Sequence, residues 1–499
     1  MKMPIETALK TGKIVEGTIC YTGDITDPNE TKYTLDYYVK KAKELESLGV
    51  HIFTIKDMAG LVKPYAAKKL ISALKEELNI PVNLHTHDST GNGVSTLLMA
   101  SEAGLDIADC AIGSMSSMTS NPCMNSLVEA LKGTERDTGL NPDELTELSQ
   151  YYARIRPIYK QFESGMDAPN TEIYKYEIPG GQYSNLLAQV KEMGAAEDFE
   201  EIKGLYKDAN QLLGNIVKVT PSSKVVGDFA IFMFKNGLTK ENILEVGKDL
   251  SYPDSVVEYF EGMIGQPEGG FPEELQKIVL KDKKPIDVRP GSLLPDEDFD
   301  YIAKGLKENF YTENMEDPDI LSQKTLSYAL YPKVYEDYCR HFEAYNDVTG
   351  LESHVYFYGL RKGEETTLKL DEGKYLIIKF IDMTEPDEDG YRLLDFEVNG
   401  SIREIKVLDK NLEVKTDGRV KADKSNPAHL GSTIPGTVGK VLVNEGDEVT
   451  VNMPLMTVEA MKMETTVVST VNGKVDKIYV KEGEQVNQED LLISFEIDE

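Results

Sequence analysis

Basic residues are scarce in this sequence: 54 lysines and arginines stand against 86 aspartates and glutamates, a formal net charge of −32 over 499 residues. That balance excludes nucleic acid and anionic membrane surfaces as partners, and is otherwise a statement about solubility. Cysteine is scarce too. Cys20, Cys110, Cys123 and Cys339 show no Cys-x-x-Cys spacing, and the first two fall in apolar, strand-like runs. Buried, reduced thiols of a cytoplasmic protein are expected, and no disulfide framework. No apolar run reaches the roughly 18 residues that a membrane-spanning helix needs. The opening Met-Lys-Met-Pro-Ile-Glu has no apolar h-region, so no signal peptide is expected there. What is present suffices for several cores: 40% of the residues are hydrophobic, in a length suited to roughly three or four domains.

Near the C-terminus the sequence repeats itself. Residues 436–449 echo 473–486: both alternate apolar and polar positions with period 2 and turn at Glu-Gly followed by an acid. This predicts two related sets of antiparallel strands closing a small flattened barrel with quasi-two-fold symmetry. The link between the copies then becomes a hairpin with Lys462 at its tip. A lone exposed lysine is ordinarily solvated charge, but Lys462 stands between Met461 and Met463, side chains that a polar turn has no reason to hold outside a core. Ala460-Met461-Lys462-Met463 in a duplicated strand module resembles the biotinyl domain of biotin-dependent carboxylases. The resemblance implies that Lys462 carries biotin in amide linkage, attached by a biotin protein ligase.

At the other end, strands are predicted over 14–21, 51–56, 81–87 and 107–112, each followed by a helix, over 35–48, 65–78, 93–103 and 124–131. Four strand–helix units at this spacing mean parallel strands with crossovers, whose chemistry collects at the C-terminal strand ends. His85-Thr86-His87 lies at one such end, and residues two apart on a strand point the same way. Two imidazoles facing one centre suit a metal. They equally suit two half-buried histidines bonded to carbonyls. Asp88 is placed to orient an imidazole or a nearby loop. Lys56, at the end of the preceding strand, would repel a metal in its ordinary protonated form.

Ile55-Lys56-Asp57-Met58-Ala59-Gly60 together with Leu84-His85-Thr86-His87-Asp88-Ser89-Thr90-Gly91 resembles the carboxyltransferase barrel of the pyruvate carboxylase family. The likeness implies a carbamylated Lys56 that joins His85 and His87 in binding one divalent metal, zinc or manganese. Tyr21-Thr22-Gly23-Asp24 favours this family over oxaloacetate decarboxylase α subunits. A (βα)8 barrel needs eight strands, and these four look like the family's last four. The Asp-Ala-His-Gln motif of its first half is absent, as is the ATP-using biotin carboxylase with its Gly-rich loop. Four such strands alone would leave unpaired edges and an apolar inner face open to water. A second polypeptide carrying the biotin carboxylase and the first half-barrel is therefore expected.

From 141 to 280 the pattern is mainly helical, with helices predicted over 145–159 and 202–213. Glu177-Ile178-Pro179-Gly180-Gly181-Gln182-Tyr183 reads as a turn leading into a helix, and Thr220-Pro221-Ser222-Ser223-Lys224 as a helix N-cap. Both resemble the segment beyond the barrel in the same family. That implies Thr220 as the proton carrier between biotin N1 and pyruvate or its enolate, with Gln182, Ser223 and Lys224 around the biotin ring. Further on, a helix is predicted to open at Tyr328, and short strands over 355–358, 375–381, 391–398 and 401–407. Phe357-Tyr358-Gly359-Leu360-Arg361 resembles the family's tetramerisation domain, and His341 and His354 stand alone as structural or exposed residues. Residues 414–426 lack apolar periodicity and are predicted to be a mobile linker.

These readings combine into a multidomain α/β plus all-β chain. Residues 1–134 are expected to form part of a TIM-type barrel and 135–285 its helical extension. Residues 286–425 are expected to form a small mixed connector domain of tetramerisation type with its linker, and 426–499 a flattened β-barrel biotinyl domain. The resemblance implies carboxyl transfer from carboxybiotin to metal-held pyruvate enolate, giving oxaloacetate, with Thr220 and Lys56 as the catalytic residues. Alternatives are a non-catalytic biotinylated carrier or scaffold, and an oxaloacetate decarboxylase α subunit.

Overall fold

The computed structural model describes every residue except 1, 164–165, 311–313, 388, 410–419, 424–425, 433–435, 461–462, 488 and 498–499. The chain divides into two units, Met1–Pro295 and Asp296–Glu499.

In the first unit, β1 (Glu16–Cys20), β2 (Ile52–Asp57), β3 (Val82–Thr86) and β4 (Ile107–Ala108) form a parallel sheet in sequential order. The crossovers are the helices Leu35–Ser47, Pro64–Glu77 and Gly93–Glu102, and Met124–Leu131 follows β4. Each helix has a local cause. Thr34 caps the first by accepting from the Tyr37 amide, and Pro64 opens the second, where its missing N–H costs nothing. Pro64–Glu77 buries Ala66, Ala67, Leu70, Ile71 and Leu74 along one stripe, in a core shared with Phe53, Ile55, Val82 and Leu84 of the sheet.

The opposite face of the sheet corrects an expectation. Thr18, Thr54 and Asn83 are register partners, as are Cys20, Lys56 and His85. The face away from the helices is therefore polar and reactive instead of apolar. It also explains why Cys20 is only half-buried where a buried thiol was expected; Cys110, just beyond β4, is half-buried as well. The four cysteines are free. Beyond Ala108 the predicted fourth strand survives only as an isolated bridge, Ala111 to Cys123.

Downstream, a second core gathers around the helix Ser222–Lys235, which buries Val225, Val226, Phe229, Ala230 and Met233. The helices Phe199–Leu212 and Asp254–Glu261 pack against it. The helix expected over 145–159 runs over Pro142–Ile155 and tightens into a 3₁₀ stretch, Arg156–Phe162, in which Pro157 removes a donor.

The second unit opens with the helices Phe299–Asn309, Pro318–Leu330 and Pro332–Tyr345. No helix opens at Tyr328, which lies inside the helix Pro318–Leu330; the next begins at Pro332. Proline pushes the residue before it out of the helical region, and Tyr331 has φ −144° and ψ 71°. Residues 353–358 form a short helix, Ser353–Tyr358, and not a strand. His354 does not stand alone either, lying 3.3 Å from Glu352 and 3.4 Å from Glu364. β5 (Glu365–Asp371), β6 (Lys374–Met383), β7 (Tyr391–Val398) and β8 (Ser401–Leu408) make an antiparallel meander. Most of the predicted linker over 414–426 lies outside the described residues.

The last strands are β9 (His429–Gly431), β10 (Gly436–Val441), β11 (Glu448–Val449), β12 (Pro454–Ala460), β13 (Met463–Val468), β14 (Gly473–Ile478), β15 (Gln485–Val486) and β16 (Leu491–Ile497). They form two sheets, ordered β13-β12-β10-β15 and β11-β14-β16-β9. The repeat seen in the sequence is exchanged between them. Gly436 pairs with Val486 and Gly473 with Val449, each strand of one copy meeting the short strand of the other. The turn glycines obey the same symmetry. Gly446 N donates to Val475 O and Gly483 N to Val438 O, both at 2.8 Å, and both glycines have left-handed φ. Between the sheets lie Val438, Val475, Leu455, Met456, Leu492, Ile493 and Phe495.

Candidate active site at the strand ends

The polar row Cys20, Lys56, His85 crosses the C-terminal ends of three strands, and Asp109 completes it. Asp109 follows β4 and its amide donates to Leu84 O at 3.1 Å, which sets its carboxylate beside His85. His85 Nδ1 lies 2.8 Å from Asp109 Oδ2, and Asn83 Nδ2 donates to Asp109 Oδ1 at 3.3 Å. His87 stands two residues along, its ring centroid 5.5 Å from that of His85. Its Nδ1 is 2.6 Å from Thr119 O, a pure acceptor, so Nδ1 carries the proton. Burial pushes the His87 pKa down, against the pull of the Thr119 carbonyl, and the neighbouring His85 lowers it further. A neutral His87 therefore presents a lone pair at Nε2.

Asp57 builds the loop that walls this centre. Fully buried, its carboxylate accepts from the amides of Ala59, Leu61 and Val62 and from Thr86 Oγ1. Burial pushes its pKa up against those four donors. The loop ends close on His87: Gly60 has φ +74°, and a Cβ there would lie 2.6 Å from the His87 carbonyl. Of the two roles open to Asp88, the structure takes the loop. Its Oδ1 accepts from Gly93 N at 2.8 Å, at the start of the following helix. The imidazole is oriented by Asp109, which sequence reasoning missed. Its signal was an acid at the end of the neighbouring strand.

The helix Gly180–Glu192 reaches the same centre. Gly180 N donates to Met58 O at 3.1 Å, and a Cβ on Gly180 would sit 3.5 Å from His87 Nδ1. Gln182 is buried, with its Nε2 in the space that a Cβ on Gly227 would need. It thus lies against the helix Ser222–Lys235, which also carries buried Ser223 and exposed Lys224. Thr220 is exposed just before that helix, in a turn held by Ser222 Oγ, which lies 2.5 Å from Val217 O and 2.6 Å from Val219 O. Lys56, His85 and His87 are brought together, and Gln182 is brought to the helix of Ser223 and Lys224. Lys462 lies outside the described residues. The strands on either side of it, β12 and β13, pair as far as Ala460 with Met463.

Residues 22–151 match the HMGL-like family, 173–379 the conserved carboxylase domain and 427–495 the biotin-requiring enzyme family. The pyruvate carboxylase of Bacillus subtilis is 48% identical over 496 residues, covering 99% of this chain and 43% of that one. That of Staphylococcus aureus is 46% identical, with the same coverage of 99% and 43%. The chain thus spans less than half the length of these relatives. The solved carboxyl transferase domain of Rhizobium etli pyruvate carboxylase matches with a TM-score of 0.76 at 42% identity, covering 82% of this chain and 68% of that one. The complete multifunctional enzyme from that organism matches at 0.76 and 40% identity, covering 99% and 45%.

A carboxylase domain beside a biotin-requiring module defines the class, that of biotin-dependent carboxyl-transferring proteins. Within it, the chain belongs to the pyruvate carboxylase family.

Membership implies covalent biotin and a divalent metal in the carboxyltransferase region. The strand-end donors fit a metal. Both histidines turn Nδ1 to a protein oxygen, which leaves Nε2 for coordination and is the usual outer-shell arrangement of metal-bound imidazole. Among the described residues no third His, Cys, Asp or Glu joins them. The remaining neighbour in register is Lys56. No helix among the described residues is long and apolar enough to cross a membrane.

Proposed function

We propose that this chain is the carboxyltransferase and biotin-carrier part of a pyruvate carboxylase, forming oxaloacetate from pyruvate and carboxybiotin. The observation that carries this reading is the register row of Lys56 and His85, with His87 beside it and Gly180 closing the helix of Gln182 onto His87. His85 and His87 would hold the divalent metal through Nε2, and Lys56, once carbamylated, would supply an oxygen. When bound, the metal supplies a Lewis acid for the substrate carbonyl, and biotin on Lys462 supplies the carboxyl group. Gln182, Ser223 and Lys224 bind the biotin ring. The Thr220 hydroxyl both donates and accepts, and it moves the proton between the substrate methyl and biotin N1.

The partners follow from the same reading: pyruvate and oxaloacetate, a biotin protein ligase acting on Lys462, and a region carrying the biotin carboxylase and four further barrel strands. The sheet supports the last of these, because β1 and β4 pair with no further strand among the described residues. We assign a tetramer-type oligomer and a cytoplasmic location, the latter supported by four free cysteines. A second reading, a non-catalytic biotinylated carrier, is favoured by the donor set of only two histidines.

One experiment separates them. The biotin-loaded chain, with and without the barrel's remaining strands supplied, is assayed for decarboxylation of oxaloacetate, the reverse transfer. Activity that appears on supplementation and is lost in Thr220→Ala supports the transferase. No activity in either form, with biotin present, leaves the carrier.

A further inference from the structure

Lys218 is buried, with 2% of its side chain exposed, yet no role so far uses it. Its Nζ lies 2.7 Å from Glu177 Oε2 and 3.5 Å from Thr22 Oγ1. Burying an ammonium is costly, and a well-packed apolar side chain would stabilise such a position at least as well. The three residues come from separate parts of the first unit, and each leads directly into the site. Thr22 follows Tyr21, whose amide donates to the Lys56 carbonyl at 2.8 Å. Glu177 ends the turn Ile173–Tyr176 with a left-handed φ of 55°. Three residues later Gly180 meets His87, and two more bring Gln182. Lys218 itself is two residues from Thr220.

From this we propose that Lys218 is a positioning residue for the proton transfer assigned to Thr220, an inference that rests on that assignment. Its ammonium, shared between Glu177 and Thr22, ties three segments at one point: the Lys56 strand end, the entry to the Gln182 helix, and the Thr220 turn. Sliding the Glu177 or the Lys218 segment would break the 2.7 Å bond and leave a charge without its partner inside the protein, and sliding the Thr22 segment would break the 3.5 Å contact. The distance from the Thr220 hydroxyl to the strand-end centre is thereby held by an ion pair that touches neither substrate nor cofactor.

The test uses the holoenzyme: the full chain, biotin-loaded, with the partner region it purifies with. Hydrogen exchange is read over peptides covering 173–183 and 216–222, alongside oxaloacetate decarboxylation. Lys218→Met is expected to speed exchange in both peptides together. It should lower kcat by on the order of 10- to 100-fold with KM little changed, the scale of a small misplacement of reacting groups. Lys218→Arg should restore slow exchange and part of the rate. A purely structural ion pair would reduce the folded fraction while leaving the kcat of folded enzyme alone. Unchanged exchange in either peptide overturns the inference, as does faster exchange with parental kcat. If Thr220→Ala keeps the parental rate, the Thr220 assignment fails and the inference with it. The exchange data then show separately whether the three segments are tied.

Discussion

Asp109 Oδ2 and His85 Nδ1 stand 2.8 Å apart at the ends of adjacent parallel strands, a carboxylate behind an imidazole. The contact fixes the ring and the tautomer, leaving Nε2 for a metal. Asp109→Asn removes the charge while keeping the shape. It is expected to weaken divalent metal affinity by roughly 10- to 100-fold, measured by calorimetric titration of the metal-stripped chain. Unchanged affinity would mean that His85 does not serve as a ligand.

Asp57 holds residues 58–62 against the histidines through three amides and the Thr86 hydroxyl. Asp57→Ala leaves those donors buried without an acceptor, so a loss of about 2–4 kcal/mol of stability is expected. Urea unfolding followed by circular dichroism measures it. A loss within about 0.5 kcal/mol, the range of ordinary surface substitutions, would contradict the anchoring role.

Gly227 leaves the space that the Gln182 carboxamide fills. Gly227→Ala adds one methyl there and should displace the carboxamide. The expected result is a KM for free biotin raised about tenfold, the worth of one good hydrogen bond, with a smaller change in kcat. An unchanged KM would remove Gln182 from the biotin pocket.

One carboxylate gives a pH dependence. Burial alone would raise the pKa of Asp106, but the Lys75 ammonium at 2.6 Å and the Val82 amide at 2.8 Å outweigh it and hold the group below its ordinary range. A carboxyl group depressed on folding stabilises the folded state fully above its unfolded pKa, and that stabilisation is lost as pH falls through the folded value. Asp106→Asn should therefore cost up to about 1 kcal/mol at neutral pH, a modest figure because the pair is partly solvated. The difference from the parent should vanish in strong acid, as read from urea midpoints across pH. A difference that persists there would contradict the assignment.

Much of this organisation is legible in the sequence because it is local or periodic. The helix Leu35–Ser47 follows from its apolar spacing, and the duplicated barrel from period-2 alternation repeated around matched Glu-Gly turns. His85 and His87 are legible as a pair because a strand turns alternate residues to one side. What escapes is set by register and by distant contact. Asp109 meets His85 only once β3 and β4 are aligned. Lys218 finds Glu177 and Thr22 at sequence separations of 41 and 196 residues, so nothing around it marks it as buried. Over 355–358 the alternating run argued for a strand, yet the chain closes a short helix, Ser353–Tyr358, ended by Gly359 at φ +69°.

The most direct test of the account follows the carboxyl group itself. The biotin-loaded chain, completed by the remaining barrel strands, is given oxaloacetate carrying ¹³C in the carboxyl group distal to its ketone, and the biotinylated peptide is recovered by rapid quench and mass spectrometry. The account predicts label on the peptide containing Lys462, none in Lys462→Arg, and a greatly slowed appearance in Thr220→Ala. Label that reaches the peptide equally fast in Thr220→Ala, or biotin found on a residue other than Lys462, would contradict it.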